Sequence, residues 1–160
     1  MPIADVGTNS WDSMIKISIA SPQETIPIDR ARMRSAAVAV LEGEGINDGE
    51  ISLAFVDNPT IHQLNQRYLQ HDEPTDVLSF PLSEAGAGRL AVELVIGAEV
   101  AQMQAAVRGH EVQAELALYT IHGLLHLCGY DDKTEAGASS MRQRERHYLR
   151  QLGLPDIAPQ

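Results

Sequence analysis

The sequence predicts a single α+β domain in which a small mixed sheet of four strands packs with about five helices. The chain has 160 residues, which is the length of one ordinary domain. Apolar residues make up 44% of it, enough for a hydrophobic core without disulfides. Strand-like and helix-like segments alternate along the first part of the chain, and helical patterns fill the last part. That order is typical of an α+β domain with a helical layer on its sheet.

Four segments have the apolar patterns of strands. Residues 14–20 alternate apolar and polar positions, and residues 51–56 and 90–96 are mostly apolar. A further short strand lies between Pro74 and Pro81. Because proline cannot donate a ladder hydrogen bond, we expect this last strand at an edge or at a strand end.

Helical patterns follow the strands. They span residues 27–42, 98–107, 111–128 and about 134–152, and another helix begins at Pro59 after a cap at Asp57 or Asn58. Gly153 with Pro155 beyond it is a usual helix stop. We expect one domain over residues 1–160, with loose ends at 1–13 and 154–160.

Composition and charge exclude several classes of protein. The formal net charge of −10 repels nucleic acid and anionic membranes at long range, so an RNA partner needs a local basic surface. Residues 1–13 lack the pattern of a signal peptide, and the apolar stretch 116–129 is too short to span a membrane. The single cysteine, Cys128, suits a reducing compartment. We therefore expect a cytoplasmic protein with neither a membrane nor DNA as its partner.

Two histidines four residues apart are the most informative feature. His122 and His126 lie one turn apart on one helical face, so both imidazoles can reach a single ion. Gly129 can end that helix in a left-handed conformation and return the chain, which brings Asp131 or Asp132 towards the same ion. The alternative is a pair of core histidines satisfied by hydrogen bonds. The glycine turn and the nearby carboxylates favour a metal site.

The same spacing occurs in a class of zinc proteases, which carry a glutamate base directly after the first histidine. Here that position is Gly123, which cannot accept a proton from water. Two histidines and one carboxylate also suit non-haem iron(II) oxygenases, but those usually carry the ligands on a β-barrel. Because the candidate ligands here lie on a helix and on the turn after it, we favour a hydrolase over an oxygenase. This hydrolase would lack the glutamate base of the zinc proteases.

At these residues the sequence resembles the YbeY family of bacterial endoribonucleases and ribosomal RNA maturation factors. The family pattern H-G-x-L-H-L-x-G-Y-D-H matches from His122 to Asp131. A second block matches at Leu64-Asn65, Tyr68, Asp72 and residues 74–81. With the order of elements, the resemblance covers about residues 14–152. It implies one Zn²⁺ per chain, although another divalent metal would suit the same donors.

Two departures from the family pattern affect the site. The usual third histidine ligand is replaced by Asp132, so the resemblance implies catalytic and metal-binding roles for His122, His126 and Asp132. The family arginine that holds the substrate phosphate falls at Leu69. Arg67 and His71 are the nearest candidates for substrate binding. Arg67 lies two positions before Leu69, which is about 200° round a helix, so it can replace the family arginine only if the helix ends early.

The resemblance implies a zinc-dependent, single-strand-specific endoribonuclease that acts in 16S ribosomal RNA 3′-end maturation and in ribosome quality control. It also implies the small ribosomal subunit and an assembly GTPase as partners. The alternatives are a non-catalytic assembly factor with a structural metal and, less favoured, a metalloprotease. Arginines that could contact RNA or simply form solvated helix faces occur on the first and last helices: Arg30, Arg32, Arg34, Arg142, Arg144, Arg146 and Arg150.

Overall fold

The computed structural model describes residues 14–69, 77–82 and 90–158. Within these ranges the chain forms four strands and five α-helices, which confirms the predicted α+β class. The elements are β1 (Met14–Ala20), α1 (Arg30–Gly43), β2 (Asp48–Val56), α2 (Asn58–Leu64), β3 (Val77–Pro81), β4 (Leu90–Gly97), α3 (Ala98–Arg108), α4 (Val112–Leu127) and α5 (Glu135–Gln151). A π-helical turn, Asn65–Leu69, extends α2.

The strands form one mixed sheet in the order β1-β2-β4-β3. β1 pairs with β2 and β2 with β4 in parallel, with Ile17 opposite Ile51 and Leu53 opposite Leu94. β3 pairs antiparallel with β4 and lies at the edge of this sheet. The edge position agrees with the prediction from the two flanking prolines.

Alternate residues of the strands face two different cores. Ile51, Leu53 and Phe55 of β2 are buried in the main core with α1 and α4. Val56 faces the other side of the sheet, where a small cluster forms with Ile61 of α2 and with residues of β3 and β4. Helices therefore cover both faces of this small sheet, and the main core lies beneath α4.

Helix α4 is the central element of the helical layer. It contacts α1, α3 and α5 as well as strands β3 and β4. Its residues from Ala114 to Ile121 are all buried, which explains the long apolar stretch in the sequence. The carboxyl-terminal end emerges at the surface, since His126 and Gly129 are exposed. Among the described residues, no helix combines the length and the apolar character that crossing a membrane requires.

Two element boundaries differ from the predicted ones for local reasons. Helix α1 begins at Arg30 and not at Pro27, because the Asp29 side chain accepts a hydrogen bond from the Arg32 backbone amide at 3.1 Å and so caps the helix there. Strand β2 begins at Asp48, before the apolar run, because its first residues pair with β1.

The carboxyl-terminal segment packs on the core. Residues 154–158 have no regular secondary structure. Even so, the Ile157 and Ala158 side chains are each only 5% exposed and belong to the main core. Within the segment 154–160 that the sequence predicts to be loose, these two residues lie on the core, because a short apolar segment here covers part of it.

Candidate metal centre

The two predicted histidines converge on one point. His122 and His126 lie on the same face of α4, and their Nε2 atoms are 3.1 Å apart. The rings meet edge to face, with centroids 4.6 Å apart. The His122 side chain is 22% exposed and that of His126 is 39% exposed. The pair therefore lies at the surface and not in the core, which disfavours the alternative of two buried structural histidines.

The turn after α4 orients His126. Gly129 has φ of +103°, and the Tyr130 backbone amide donates to the Leu125 carbonyl at 3.0 Å across the turn. This left-handed helix end is the one that the sequence predicted. It brings the Tyr130 carbonyl within 3.1 Å of Nδ1 of His126. A carbonyl can only accept, so Nδ1 carries the proton and the Nε2 lone pair is left for a ligand.

A buried carboxylate orients His122 in the same way. Oε2 of Glu145, on α5, lies 2.6 Å from Nδ1 of His122. The Glu145 side chain is fully buried, and the Arg142 guanidinium lies 3.2 Å from its other oxygen. Because the carboxylate accepts from Nδ1, the Nε2 lone pair of His122 also faces the shared point.

Asp132 completes the candidate ligand set. Its Oδ1 lies 4.0 Å from Nε2 of His126. The neighbouring carboxylate of Asp131 instead accepts a hydrogen bond from the Lys133 backbone amide at 2.7 Å, within the turn. Of the two aspartates that the sequence left open, the structure thus brings Asp132 to the histidines.

The three side chains fit a divalent metal ion. Their candidate ligand atoms all lie within 4.8 Å of one another. Tetrahedral zinc with ligands at about 2.0–2.2 Å requires separations of about 3.4 Å, which small side-chain rotations would reach here. Two neutral imidazoles and one carboxylate form a donor set that zinc accepts, and these donors leave coordination positions open to solvent.

Close packing against the sheet explains why glycine occupies position 123, and it also disfavours a glutamate base there. A Cβ atom at this position would lie 2.8 Å from Cγ1 of Val77 and 3.2 Å from Cδ1 of Leu94. Helix α4 therefore presses directly on β3 and β4 at this residue. A glutamate here would have to displace these side chains of the sheet, which disfavours the zinc-protease arrangement.

Of the two other predicted substrate residues, only Arg67 lies in the described part of the chain. Arg67 lies in the π-helical turn after α2, is exposed, and is not among the residues that line the groove beside the histidines. His71 lies outside the described residues, as do Asp72 and Pro74 of the second sequence block. Their predicted roles therefore stay predictions.

Cys128 lies at the end of α4 but is a poor candidate ligand. Burial, together with the nearby charge of Glu44, raises the pKa of its thiol to about 11. Metal binding requires the thiolate, which the raised pKa disfavours, and Cys128 does not belong to the candidate ligand group found among the described residues. The residue is half-buried and ends the helix, as a small apolar side chain would.

A polar cluster behind the centre joins α1, α5 and the turn after α4. The Glu44 carboxylate accepts hydrogen bonds from the Tyr130 hydroxyl at 3.0 Å, from the Arg144 guanidinium at 2.6 Å and from the Tyr148 hydroxyl. Burial favours the neutral form of Glu44, but these hydrogen bonds and the Arg144 charge outweigh it and lower the Glu44 pKa. Since Tyr130 also contacts His126 through its carbonyl, this cluster supports the turn that orients His126.

A groove of about 960 Å³ opens beside the candidate ligands. His122 and Asp132 line it, together with Arg142 and Glu145 of α5. Its other walls come from the start of α2, from α3 and from the first half of α4. A chain-like substrate laid in this groove would pass the candidate metal centre.

Three arginines of α5 contact three separate carboxylates. Arg142 pairs with Glu145, Arg144 with Glu44, and Arg146 with Asp156 at 3.3 Å. Only Arg142 lines the groove among these three. On α1, Arg30 donates to the Ile19 carbonyl and Arg32 pairs with Asp29.

Sequence reasoning missed Glu145, although the sequence carries a signal for it. Met141, Glu145, Tyr148 and Leu149 have the spacing of one buried helical face, and all four are buried. A carboxylate within such an apolar stripe needs a partner, because burying an unpaired charge is costly. That requirement points to a functional contact, but it does not name the partner.

The fold and site together define an α+β protein with an exposed two-histidine, one-aspartate centre at the end of its central helix. Comparison with known proteins agrees. The family model described as endoribonuclease YbeY matches residues 18–153. An endoribonuclease YbeY of Anaeromyxobacter dehalogenans is 43% identical over 128 residues, which cover 79% of this chain and 66% of that protein. Another, of Carboxydothermus hydrogenoformans, is 38% identical over 138 residues, covering 85% and 96%.

A solved structure shares the fold. The solution structure of TM1509 from Thermotoga maritima superposes with a TM-score of 0.59 at 25% sequence identity, covering 85% of this chain and 88% of that one. The family match extends over most of the residues that form the sheet, α4 and α5. The chain therefore belongs to the endoribonuclease YbeY family.

Proposed function

We propose that this protein is a metal-dependent hydrolase that cleaves single-stranded RNA internally. The observation that carries the proposal is the convergence of His122, His126 and Asp132, whose candidate ligand atoms lie within 4.8 Å of one another beside an open groove. Membership of the endoribonuclease YbeY family supplies the substrate class.

The proposed cofactor is one Zn²⁺ ion per chain, held by these three side chains. When bound, such an ion acts as a Lewis acid that polarises a phosphate oxygen and lowers the pKa of water towards 7. The donor set supports zinc because imidazole and carboxylate are both common zinc ligands. The exposure of the Asp132 side chain, 36%, supports a centre that water and substrate can reach.

The chain's own residues prepare the site for this reaction. Glu145 and the Tyr130 carbonyl hold the protons of His122 and His126 on Nδ1, so both Nε2 lone pairs are left for the ion. Gly123 offers no side-chain base. The proposed hydrolysis therefore takes its nucleophile from water activated at the centre and not from a glutamate on α4.

The biological role that we propose is 16S ribosomal RNA 3′-end maturation and ribosome quality control in the cytoplasm. The proposed partners are the small ribosomal subunit and an assembly GTPase. These assignments rest on the resemblance of the His122 to Asp131 segment and of the second block to the family patterns.

The test compares the zinc-loaded protein with its His126→Ala variant on a single-stranded RNA that carries the small-subunit 3′ precursor sequence. We expect the parent to cleave and the variant to lose both bound zinc and cleavage. His147→Ala is the matched control, because it removes an exposed histidine on α5 outside the centre. Equal cleavage by parent and His126→Ala would contradict the proposal, and no cleavage by the parent would favour a non-catalytic assembly factor.

A further inference from the structure

Two arginines on the groove walls are each paired with a fully buried carboxylate. Arg142 of α5 lies 3.2 Å from Glu145, and Arg108, at the end of α3, lies 3.4 Å from Glu115 of α4. Both glutamate side chains are 0% exposed, whereas Arg142 is 22% and Arg108 36% exposed. Burying a carboxylate without a partner is costly, so each of these glutamates needs its arginine. The ion pair in turn holds the guanidinium in place at the surface of the groove.

The two ion pairs are spaced along one helix. Glu115 and His122 are seven residues apart on α4, which corresponds to about two turns and about 10 Å along its axis. Glu145, which anchors Arg142, contacts His122 directly. Arg142 therefore lies beside the candidate metal centre, and Arg108 lies about two turns of α4 away from it.

We propose that this groove binds the sugar-phosphate backbone of the RNA substrate, with Arg142 beside the scissile phosphate and Arg108 on a phosphate farther along the strand. This proposal rests on the proposed function and identifies how that site holds its substrate. A separation of about 10 Å along α4 exceeds the distance between neighbouring phosphates of one strand, so the two arginines would hold two phosphates that are not adjacent. The groove thus selects a strand of several nucleotides.

Each guanidinium group has N–H donors that its glutamate does not use and that a phosphate could accept. In the described contacts Arg142 and Arg108 each reach their glutamate through one terminal nitrogen, NH1. Arginine has five N–H donors in a planar fork, and this fork matches the geometry of a phosphate. Anchoring by a buried partner also reduces the side-chain entropy that is lost when the phosphate binds.

The rest of the groove suits the other parts of a nucleotide strand. His62 adds a polar side chain, while Met103 on α3 offers an apolar side chain that is 56% exposed. Apolar surface can contact the faces of unstacked bases, which single strands expose. With a net charge of −10, the protein needs such localised cations to hold RNA at all. The same pair would compensate for Leu69, where the family pattern has arginine.

The test uses Arg108→Gln, because Arg142 also braces the carboxylate that contacts His122. Arg150→Gln is the matched control: it removes the same charge from an exposed position on α5 that does not line the groove. Cleavage of an RNA decamer and of a trinucleotide is measured for the zinc-loaded proteins over a range of KCl concentrations. Thermal unfolding checks that each variant is folded. Arg108→Lys keeps a positive charge beside Glu115 should the glutamine variant fail to fold.

We expect Arg108→Gln to lower kcat/KM for the decamer by about tenfold, the value of one charge-assisted hydrogen bond, mostly through KM. The salt slope of log kcat/KM should fall by about one, because one phosphate contact is lost. The preference for the decamer over the trinucleotide should shrink by the same factor. Arg108→Lys should keep the salt slope while weakening the decamer preference, because it keeps the charge and loses the fork.

Failure of this proposal is distinguishable from failure of the proposed function. If the parent cleaves RNA and Arg108→Gln behaves like Arg150→Gln, the groove assignment is overturned while the nuclease function stands. If the parent does not cleave, the proposed function fails. Because the decamer then stays intact, its Kd for each protein can be measured by fluorescence anisotropy of a labelled decamer. A tenfold weaker Kd and a reduced salt slope in Arg108→Gln alone would support the groove, and equal values in both variants would overturn it.

Discussion

The Glu145 carboxylate on α5 lies 2.6 Å from Nδ1 of His122 on α4. This contact joins two helices that are separated in the sequence by the turn carrying Asp132. It fixes the tautomer of His122, and Arg142 braces the carboxylate from the other side. The position of α5 is therefore part of the candidate metal centre, although α5 supplies no ligand to it.

Glu145→Gln tests this contact. Glutamine keeps the volume of the side chain but removes the charge, so His122 loses a strong acceptor for its Nδ1 proton. We expect affinity for Zn²⁺ to fall by about 10- to 100-fold, the usual effect of losing such a partner. Competition with a chromophoric chelator measures the affinity directly, without reference to RNA cleavage.

A matched substitution separates this effect from a change of charge alone. Glu135→Gln removes one carboxylate from the exposed first turn of the same helix and should leave zinc affinity within about twofold. Nitrogen NMR of His122 adds a second readout, because the parent should show the proton on Nδ1. Zinc affinity in Glu145→Gln equal to that of Glu135→Gln would refute the positioning role.

Asp132 and Asp131 offer a test of the third ligand on adjacent residues. Asp132→Ala should weaken zinc binding at least as much as the loss of Glu145, by about 100-fold or more, because a direct donor is removed. Asp132→His, which installs the family's usual ligand, should restore tight binding. Asp131→Ala should retain zinc, since that carboxylate caps the turn at the Lys133 amide. Calorimetric titration with zinc compares the variants, and the opposite ranking of Asp131 and Asp132 would show that the turn rearranges.

Several features of the fold and of the candidate site can be predicted from the sequence, because they depend on residues close together in the chain. The spacing of His122 and His126 places them on one helical face, and Gly129 permits the left-handed helix end that returns the chain towards them. The two prolines predicted the edge position of β3. Each of these inferences depends on residues a few positions apart.

The remaining features depend on contacts between distant elements. Arg108 and Glu115 belong to two helices whose packing no local pattern specifies, and Glu145 meets His122 only because α5 returns along α4. The spacing by itself leaves Asp131 and Asp132 open; the family pattern selects Asp132, and the turn geometry brings the same residue to the histidines. The buried end at Ile157 was missed for the same reason, since its partners lie elsewhere in the chain.

We predict that glycine is favoured at position 123 because α4 packs closely on the sheet there, and not because the helix itself favours glycine. Gly123→Ala would gain about 1 kcal/mol of helix propensity, but its Cβ would lie 2.8 Å from Cγ1 of Val77. Overpacking of this kind costs about 1–3 kcal/mol, so we expect the substitution to be neutral or destabilising. In a Val77→Ala background the same change should become stabilising. Urea unfolding of all four proteins gives the coupling, and strictly additive effects would contradict close packing of α4 on β3.

Tyr148 gives the stability of this protein a dependence on alkaline pH. Burial, and then the hydrogen bond to Glu44 and the charge of that carboxylate, raise the Tyr148 pKa from 10.0 to about 12. The folded state therefore favours the neutral phenol. Its contribution to stability is complete below pH 10 and is lost as the pH rises through about 12.

Tyr148→Phe isolates this contribution. The variant leaves Glu44 and Arg144 without the hydroxyl that contacts both, so at pH 8 we expect its free energy of unfolding to be lower by about 1–3 kcal/mol. Above pH 10 the difference between parent and variant should shrink, because only the parent loses stability as Tyr148 ionises. Urea unfolding at intervals from pH 8 to pH 12 measures both curves. A difference that stays constant over this range would show that the hydroxyl ionises equally readily in the folded and unfolded chains.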